Sequence, residues 1–477
     1  MLFALRPTEM TIKKNTGVYR LGIALLGKGS TNHLHRREVV EAFQEQGISL
    51  IFLVREDYIE LLKKIEGCRY YPVSFQKLSG WREHLHFIFE YVRNLYPSYD
   101  KGRKAYFDLL VRYRRSRRLQ QIDFLFRLIA RYRWVVKLLA RFEKWIGRPD
   151  SVQGIPLHEI DQLMLLGIGT ASSELEMDMT WWARHHRISV INIIGNYDNL
   201  SSKGFRGVSV DRLLVWGPSM VRDAVDFQDI PRERITEIGS IRYNVNPQLL
   251  TDRDDFLRSL KLDPRKKTIL FAGFFFEFHY FEMMEVFENL RREDQELQLI
   301  FRVYPNKHLM DSVYMKPLFV AAEQRSDIYI SYGDPDFQRG EKGKSVLQIE
   351  EFELCNILNS CDCVVNIFST ISLEACMYDK PSINMNYHQK HHPAVVRTPL
   401  YYNYGGLFHN RRLVAYGAIQ TAVTRGELCE YLREALRHPE KFTEQRRETV
   451  KHEVGVLDGK ACERLVDACK EHFIAHS

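Results

Sequence analysis

Four side chains that could bind an anion and its neighbouring hydroxyls lie within six residues, after a short apolar run. Ser369, Thr370 and Ser372 follow the run at 363–368, and Glu374 comes two residues later. The run predicts a buried strand, and the residues from 373 to 378 predict a helix. Hydroxyls and free N–H groups at such a turn suit a phosphate, and the nearby carboxylate could reach ribose hydroxyls. An ordinary turn with a hydroxyl N-cap and a helix-start acid fits the same residues.

Strands and helices alternate along the rest of the chain. Strand patterns occur at 19–26, 48–54, 163–168, 188–194 and 213–216, and again at 267–276, 297–304, 328–332 and 363–368, with helix patterns between them. This alternation predicts an α/β protein whose parallel sheets are covered by helices. At 477 residues the chain should hold two Rossmann-like domains. We place them at residues 1–245 and 246–455, joined by a hinge near 239–251 and followed by a C-terminal helix over 456–477.

Three loops of the first half are predicted to line a cleft, because ligands of open α/β sheets bind beyond the carboxyl ends of the strands. The first loop, at 27–33, contains Gly29 and Ser30, and the second, at 169–174 (GTASSE), follows the strand at 163–168. The third loop, at 195–204, contains Asn199 and Lys203.

The composition changes over residues 101–148, which hold 15 Lys and Arg against 3 Asp and Glu, interleaved with aromatic residues. Apolar residues recur there at helical spacing, which predicts a basic amphipathic helical insertion at about 80–150. Three interpretations remain open. The insertion could pack on the sheet with a solvated basic face, or it could form a lipid-binding surface that lies on anionic lipid or holds a lipid-linked pyrophosphate. It could also bind nucleic acid, which we disfavour because no nucleic-acid motif accompanies the charge.

The sequence contains no apolar run long enough to cross a bilayer, and its N-terminus lacks the features of a signal peptide. The eight cysteines are scattered without a disulfide or metal-binding pattern. These features favour a cytoplasmic protein, peripheral on the inner face of the membrane if the insertion binds lipid.

Three stretches resemble one family group. Residues 369–375 (STISLEA) with 379–381 (DKP) resemble the S-T-x-x-L-E-A…G-K-P turn of CDP-glycerol glycerophosphotransferases and UDP-N-acetylglucosamine 2-epimerase-like enzymes, with Asp379 in place of the usual glycine. Residues 197–204 (YDNLSSKG) with 211–216 (DRLLVW) resemble a pattern of bacterial surface-polysaccharide transferases in that group. Residues 458–461 (DGKA) resemble the start of its terminal helix. The resemblance spans from about residue 160 to the end and implies the GT-B architecture.

The resemblance also implies where a nucleotide-sugar donor binds. Ser369, Thr370 and Ser372 would contact its phosphates and Glu374 its ribose. Cations would stabilise the departing diphosphate in the absence of a metal. The implied donor residues near the end of the strand at 297–304 are Arg302, Asn306 and Lys307, and an ion pair is the alternative role for the two cations. Relatives often carry His-Pro where this chain has residues 304–306 (YPN), a departure that weakens the glycerophosphotransferase alternative.

The base that would activate an acceptor hydroxyl is sought among Asp198, Glu174 and Asp178, in that order, because all three follow strand ends of the first half. A retaining enzyme would need no such base. No metal site is expected. The acidic pair at 334 and 336 and the histidines at 388, 391 and 392 lack the partners of a metal centre.

Together these features predict a metal-independent GT-B glycosyltransferase that moves a sugar from a nucleotide donor to a hydroxyl of a surface-glycan or lipid-linked acceptor. It would need no cofactor beyond the donor as co-substrate. Its partners would be a nucleotide sugar, a glycan or lipid-linked acceptor and an anionic membrane surface, but not nucleic acid. The alternatives are a nucleotide-sugar epimerase or glycerophosphotransferase on the same fold, or a non-catalytic nucleotide-sugar-binding partner.

Overall fold

The computed structural model describes residues 19–76, 80–94, 124–126, 128–146, 152–167, 173–202, 205, 210–243, 250–274, 277–304, 309, 312–332, 351–387 and 407–476. Its first half contains the strands β1 (Arg20–Leu25), β2 (Ser49–Arg55), β3 (Arg69–Phe75), β4 (Val152–Gln153), β5 (Gln162–Leu166), β6 (Ser189–Ile193), β7 (Arg212–Val215) and β8 (Ile235–Glu237). The described helices of this half are α1 (Lys28–Leu34), α2 (Arg37–Glu45), α3 (Trp81–Asn94), α4 (Arg133–Ile146), α5 (Ser173–His185), α6 (Asn199–Ser202) and α7 (Pro218–Gln228).

These strands form one sheet in the order β4-β3-β2-β1-β5-β6-β7-β8. All neighbours are parallel except the short edge pair of β3 and β4. The central strands β1, β2 and β5 are apolar and buried on both faces, as expected for a parallel sheet with helices on each side. The strand order reverses between β1 and β5, so the crevice for a ligand should open beyond their carboxyl ends.

The second half contains the strands β9 (Lys267–Ala272), β10 (Leu297–Arg302), β11 (Ile328–Ser331), β12 (Cys363–Asn366), β13 (Ser382–Met385) and β14 (Ile419–Ala422). Its described helices are α8 (Arg253–Ser259), α9 (Glu277–Glu293), α10 (Met315–Glu323), α11 (Glu351–Ser360), α12 (Ile371–Met377), α13 (Phe408–Ala415), α14 (Arg425–Arg437), α15 (Thr443–Glu453) and α16 (Ala461–His476). The described strands pair in the order β11-β10-β9-β12-β13-β14, which is the doubly wound 3-2-1-4-5-6 order of a Rossmann fold. The reversal lies between β9 and β12, so the turn after β12 stands at the crevice.

The last helix, α16, returns to the first sheet instead of staying with the second. Leu465, Val466 and Cys469 are buried in the same apolar cluster as β1 and α2. The ring of Phe473 stacks on Tyr19 with centroids 4.2 Å apart. The chain therefore crosses between the two halves twice, and its last helix completes the core of the first half.

The predicted α/β architecture is confirmed, with two differences in detail. The loop predicted over 27–33 is wrong, because α1 begins at Lys28. The Ser30 hydroxyl accepts hydrogen bonds from the N–H groups of Leu26 and Gly27, which fixes the start of that helix. Sequence analysis also missed β3, β4 and β14, strands at or next to a sheet edge in which many residues are only partly buried or exposed.

Asp379, which stands where the motif that this stretch resembles has glycine, adopts the left-handed conformation that favours glycine, with φ of 53°. Its carboxylate pairs with the guanidinium of Arg446 on α15, 2.6 Å away. The Arg446 side chain is only 1% exposed, so an uncompensated charge there would be costly. The ion pair neutralises the buried guanidinium, and this offsets the greater strain that aspartate has in this conformation compared with glycine.

Candidate functional site

The turn after β12 is held by two asparagines at matching positions of neighbouring strands. Asn366 on β12 lies opposite Asn384 on β13, and both are buried. Asn366 Oδ1 accepts a hydrogen bond from the Ser369 N–H at 3.1 Å, and Asn384 Oδ1 accepts one from the Phe368 N–H at 3.2 Å. The Ser372 hydroxyl lies 3.0 Å and 3.1 Å from these two oxygens. The asparagines therefore fix the turn that sequence analysis assigned to phosphate binding.

Ser372 itself is 1% exposed, and its hydroxyl is directed at the asparagines. It positions the turn from inside, whereas Ser369 and Thr370 are partly exposed at the crevice. Phe368, just before them, has a φ of 47°. A non-glycine residue held in this region costs free energy and is often found where a turn presents groups to a ligand.

Two of the predicted donor residues are hydrogen-bonded to the first half of the chain. The Thr370 hydroxyl lies 3.2 Å from Asn196 Nδ2 and 3.3 Å from its Oδ1, so it can donate or accept there. The Tyr243 hydroxyl donates to the Glu374 carboxylate, whose side chain is buried. The Tyr243 ring in turn packs edge-on against Trp216. The loop after β6 and the turn after β12 thus face each other across the crevice.

The loop after β6 carries the first choice for the catalytic base. Asp198 is half-buried and lies two residues from Asn196, which contacts Thr370. Asn199 is buried, and its Oδ1 accepts a hydrogen bond from the Asn196 N–H at 2.9 Å. Tyr197 donates to Asn410 Oδ1 at 2.8 Å, and burial raises the pKa of its phenol well above the ordinary value, so it remains a donor. Asp198 is therefore presented by a loop that is anchored on both sides.

The other predicted residues are more dispersed. Asp178 is partly buried in α5, and Glu174 lies in the first turn of that helix, where only its backbone is described. Gly29 and Ser30 lie in α1, and the Ser30 hydroxyl is engaged by the backbone. Lys203, Asn306 and Lys307 lie outside the described residues, as do the histidines of 388–392 and the acidic pair of 334–336.

Arg302 lies at the carboxyl end of β10, where sequence analysis expected it. Its guanidinium donates to the Ser331 hydroxyl at 2.8 Å and pairs with Glu353 of α11 at 3.3 Å. Both side chains of this pair are mostly buried, at 16% exposure each. Arg302 thus forms the ion pair that was its alternative role. Its contact with a donor diphosphate stays a prediction.

A second polar cluster joins the halves beside the crevice. Arg412 on α13 lies 2.8 Å from Asp223 on α7 and 2.7 Å from Glu453 on α15. The Tyr416 hydroxyl donates to the same glutamate at 3.0 Å. Sequence analysis missed Asn366, Asn384, Tyr243 and this cluster, and it placed Asn196 in a cleft-lining loop without giving it a role. For the asparagines a signal existed, because each lies between two apolar residues in a predicted strand: Asn366 between Val365 and Ile367, and Asn384 between Ile383 and Met385.

The described part of the basic insertion includes two helices that pack on each other, α3 and α4, and short helical stretches at 124–126 and 128–130. On α4, Val136 is buried against Phe205, Phe227 and Phe408, the last of which belongs to α13 at the crevice. The outward stripe of α4 is apolar and exposed, with Trp134, Leu138 and Phe142 as its exposed apolar members, and the exposed Arg141 lies beside it. Two further cations of this helix, Arg133 and Lys137, pair with Asp229 of the first half. Within the described residues no helix is both long and apolar enough to cross a membrane.

No protein-family model matches the chain, and no curated protein matches its sequence. Solved structures do match it over nearly its whole length. The Staphylococcus aureus MnaA structure with UDP has a TM-score of 0.50 and 9% identity, over 95% of this chain and 97% of that one. The UDP-GlcNAc 2-epimerase of Neisseria meningitidis bound to UDP-GlcNAc has a TM-score of 0.50 and 10% identity, over 95% and 100%.

At these identities the similarity concerns the fold. It confirms that the chain has the two-domain Rossmann-like architecture of the epimerase-like group that the sequence motifs resemble. The crevice between the two sheets, with the turn after β12 on one side and the loop after β6 on the other, is accordingly the candidate functional site.

Proposed function

We propose that this chain is a GT-B glycosyltransferase that moves a sugar from a nucleotide donor to a hydroxyl of a surface-glycan or lipid-linked acceptor. The donor would bind along the turn after β12, with Ser369 and Thr370 at its phosphates and Glu374 at its ribose. The structural neighbours with UDP and UDP-GlcNAc make a uridine nucleotide the first donor to test. Asp198 would activate the acceptor hydroxyl from the opposite loop.

The observation that favours transfer to a membrane acceptor is the position of α4. Its inner face meets Phe227 and Phe408 at the crevice, while its outer stripe exposes Trp134 and Phe142 beside cations. An amphipathic helix of this kind binds an anionic interface through its apolar stripe and its charge together. Peripheral binding at the inner face of the membrane would bring a lipid-linked acceptor to the crevice. An enzyme that acts only on a free nucleotide sugar would not need to bind a membrane.

The fold itself favours a second candidate, a nucleotide-sugar 2-epimerase, because the matched structures include enzymes of that kind. The two activities differ in one observable way. The epimerase would convert its nucleotide sugar with no acceptor present. The transferase would release a nucleoside diphosphate only when an acceptor is supplied.

The first experiment is a thermal-shift screen of the full chain against UDP, CDP, CMP, GDP, dTDP and their common sugars. A ligand at about 100 times its dissociation constant should stabilise the protein by roughly 2.7 kcal/mol. The shift should be lost in Glu374→Gln and kept in Glu293→Gln, a control whose glutamate pairs with Arg433 on the surface of the second half.

The nucleotide sugar that binds is then incubated with vesicles that contain a polyprenyl-pyrophosphate-linked sugar, and without them. Label that moves into the lipid phase only with the acceptor supports the proposal. Conversion to an epimer in its absence would support the second candidate and contradict transfer. Binding without any turnover, across acceptors, would contradict both and favour a non-catalytic partner.

A further inference from the structure

A pocket of about 570 Å³ lies between α13 and the carboxyl ends of β12, β13 and β14. It is next to the turn after β12 that is proposed to bind the donor, called the donor turn below. Its volume is typical of a small-molecule site. The lining residues on which the argument depends are Phe368, Asn386, Phe408, Arg411, Arg412 and Thr421. None of them was singled out from the sequence, and the donor contacts proposed above do not use them.

The two arginines of this pocket differ in how their charge is compensated. Arg412 is held between the carboxylates of Asp223 and Glu453, so its charge is already neutralised. Arg411 is exposed, and no described carboxylate pairs with it. A guanidinium that faces a pocket without a carboxylate partner is suited to bind a phosphate or carboxylate in two parallel hydrogen bonds.

The pocket also offers polar groups for neutral hydroxyls. The Thr421 hydroxyl is buried and has no hydrogen-bond partner among the described residues. Such a group costs free energy unless a ligand or water completes it. Asn386, whose backbone N–H bonds the Ala422 carbonyl at 2.8 Å, also lines the pocket.

Aromatic rings supply the apolar part of the lining. Phe368 precedes the donor turn, and Phe408 is fixed by an edge-on contact with Phe227 at 5.3 Å and by the Arg412 guanidinium above its ring at 5.3 Å. Rigid aromatic rings next to hydroxyl-binding groups suit a sugar or polyol, because the C–H faces of such a molecule are apolar whereas its hydroxyl groups are polar.

We infer that this pocket binds a hydroxylated group that carries an anion, either an acidic sugar or a phosphorylated sugar or polyol, with Arg411 on the anion. The group is either the unit attached to the nucleotide donor or the end of the acceptor. The inference deepens the proposed function and rests on it for the role of the ligand, but the chemistry of binding follows from the pocket alone.

The test measures dissociation constants of the full chain by calorimetry for two matched pairs of probes. UDP-glucuronate against UDP-glucose reports on a donor-attached anion, and sn-glycerol 3-phosphate against glycerol reports on an acceptor anion. In at least one pair the anionic probe should bind about ten times more tightly or better, as a charged hydrogen bond predicts. Arg411→Gln should abolish that preference, whereas Arg447→Gln, at an exposed arginine of α15, should keep it.

Thr421→Val supplies a second variant that should fold normally, because its hydroxyl has no described partner to lose. It should weaken the preferred probe about threefold to tenfold without lowering the melting temperature. The inference is overturned if neither pair shows a preference, or if the preference survives in Arg411→Gln. The proposed function fails separately, because it is judged by turnover: epimerisation without an acceptor, or no turnover at all, would contradict transfer. An Arg411-dependent preference for an anionic probe would still support the pocket in either case.

Discussion

The Tyr243 hydroxyl, from the first half of the chain, donates a hydrogen bond to the carboxylate of Glu374, from the second. Glu374 is the residue that the sequence assigns to a donor ribose, and it is only 3% exposed. A ribose hydroxyl would have to share or replace this hydrogen bond. If Glu374 binds the donor ribose as proposed, donor binding and the contact between the two halves would be coupled through this one carboxylate.

Tyr243→Phe tests this coupling. Removal of the hydroxyl leaves the buried Glu374 carboxylate short of a donor, so the free energy of unfolding should fall by about 1–3 kcal/mol in the absence of ligand. The affinity for the nucleotide should rise, because its ribose no longer competes with Tyr243. Denaturant unfolding and calorimetry measure the two effects. An equal or lower affinity in Tyr243→Phe would show that the phenol does not oppose donor binding.

Asn366→Leu should damage the donor turn without removing any residue that is proposed to touch the donor. Ser369 N–H and the Ser372 hydroxyl would lose an acceptor in a buried setting, at a cost of about 2–3 kcal/mol. Nucleotide affinity should fall at least tenfold. Ser382→Ala is the matched control, since it removes only the hydrogen bond from Asn366 Nδ2 on the side away from the turn. A full thermal shift with nucleotide in Asn366→Leu would contradict the role given to the asparagine pair.

The outer stripe of α4 should determine membrane binding. Replacement of Trp134, Leu138 and Phe142 by serine should reduce co-flotation with anionic vesicles at least tenfold, because each buried apolar side chain contributes about 1.5–3 kcal/mol. Ile474→Ser, at an exposed apolar residue of α16, is the control. Wild-type binding should weaken at high salt and with neutral lipid. Flotation that ignores both conditions would contradict an electrostatic attachment.

His35 should make the stability of the first half depend on pH. Burial lowers the pKa of its imidazole to about 4, below the ordinary value of 6.5, and the ring lies 2.9 Å from the Tyr70 hydroxyl. As the pH falls, His35 therefore binds a proton at a higher pH in the unfolded chain than in the folded one. The contribution of neutral His35 to the free energy of unfolding is complete above about pH 6.5. It is lost as the pH falls from about 6.5 to about 4, by up to about 1.4 kcal/mol for each pH unit. Urea unfolding of wild type and His35→Gln across this range checks it, and identical slopes would contradict the assignment.

The sequence by itself determined the alternation of strands and helices, and with it the α/β class and the strand-to-helix turn at residues 363–374. These features depend on local patterns, since a strand buried on both faces must be continuously apolar and a turn needs small polar residues. The basic helical insertion was readable for the same reason: helical spacing and charge are local properties. Strands near the sheet edges were missed, because β3 and β14 are only partly buried and their apolar pattern is weak.

Only the tertiary structure decided which polar residues meet. Asn366 and Asn384 become partners because their strands are neighbours in register, although 17 residues separate them along the chain. Tyr243 reaches Glu374, and Asn196 reaches Thr370, because the two sheets face each other across the crevice. Such contacts depend on distances between elements that no local pattern encodes. The same reason explains why Arg411 and Arg412, adjacent in sequence, differ in their ion pairing. The two carboxylates that neutralise Arg412 come from helices that are distant along the chain.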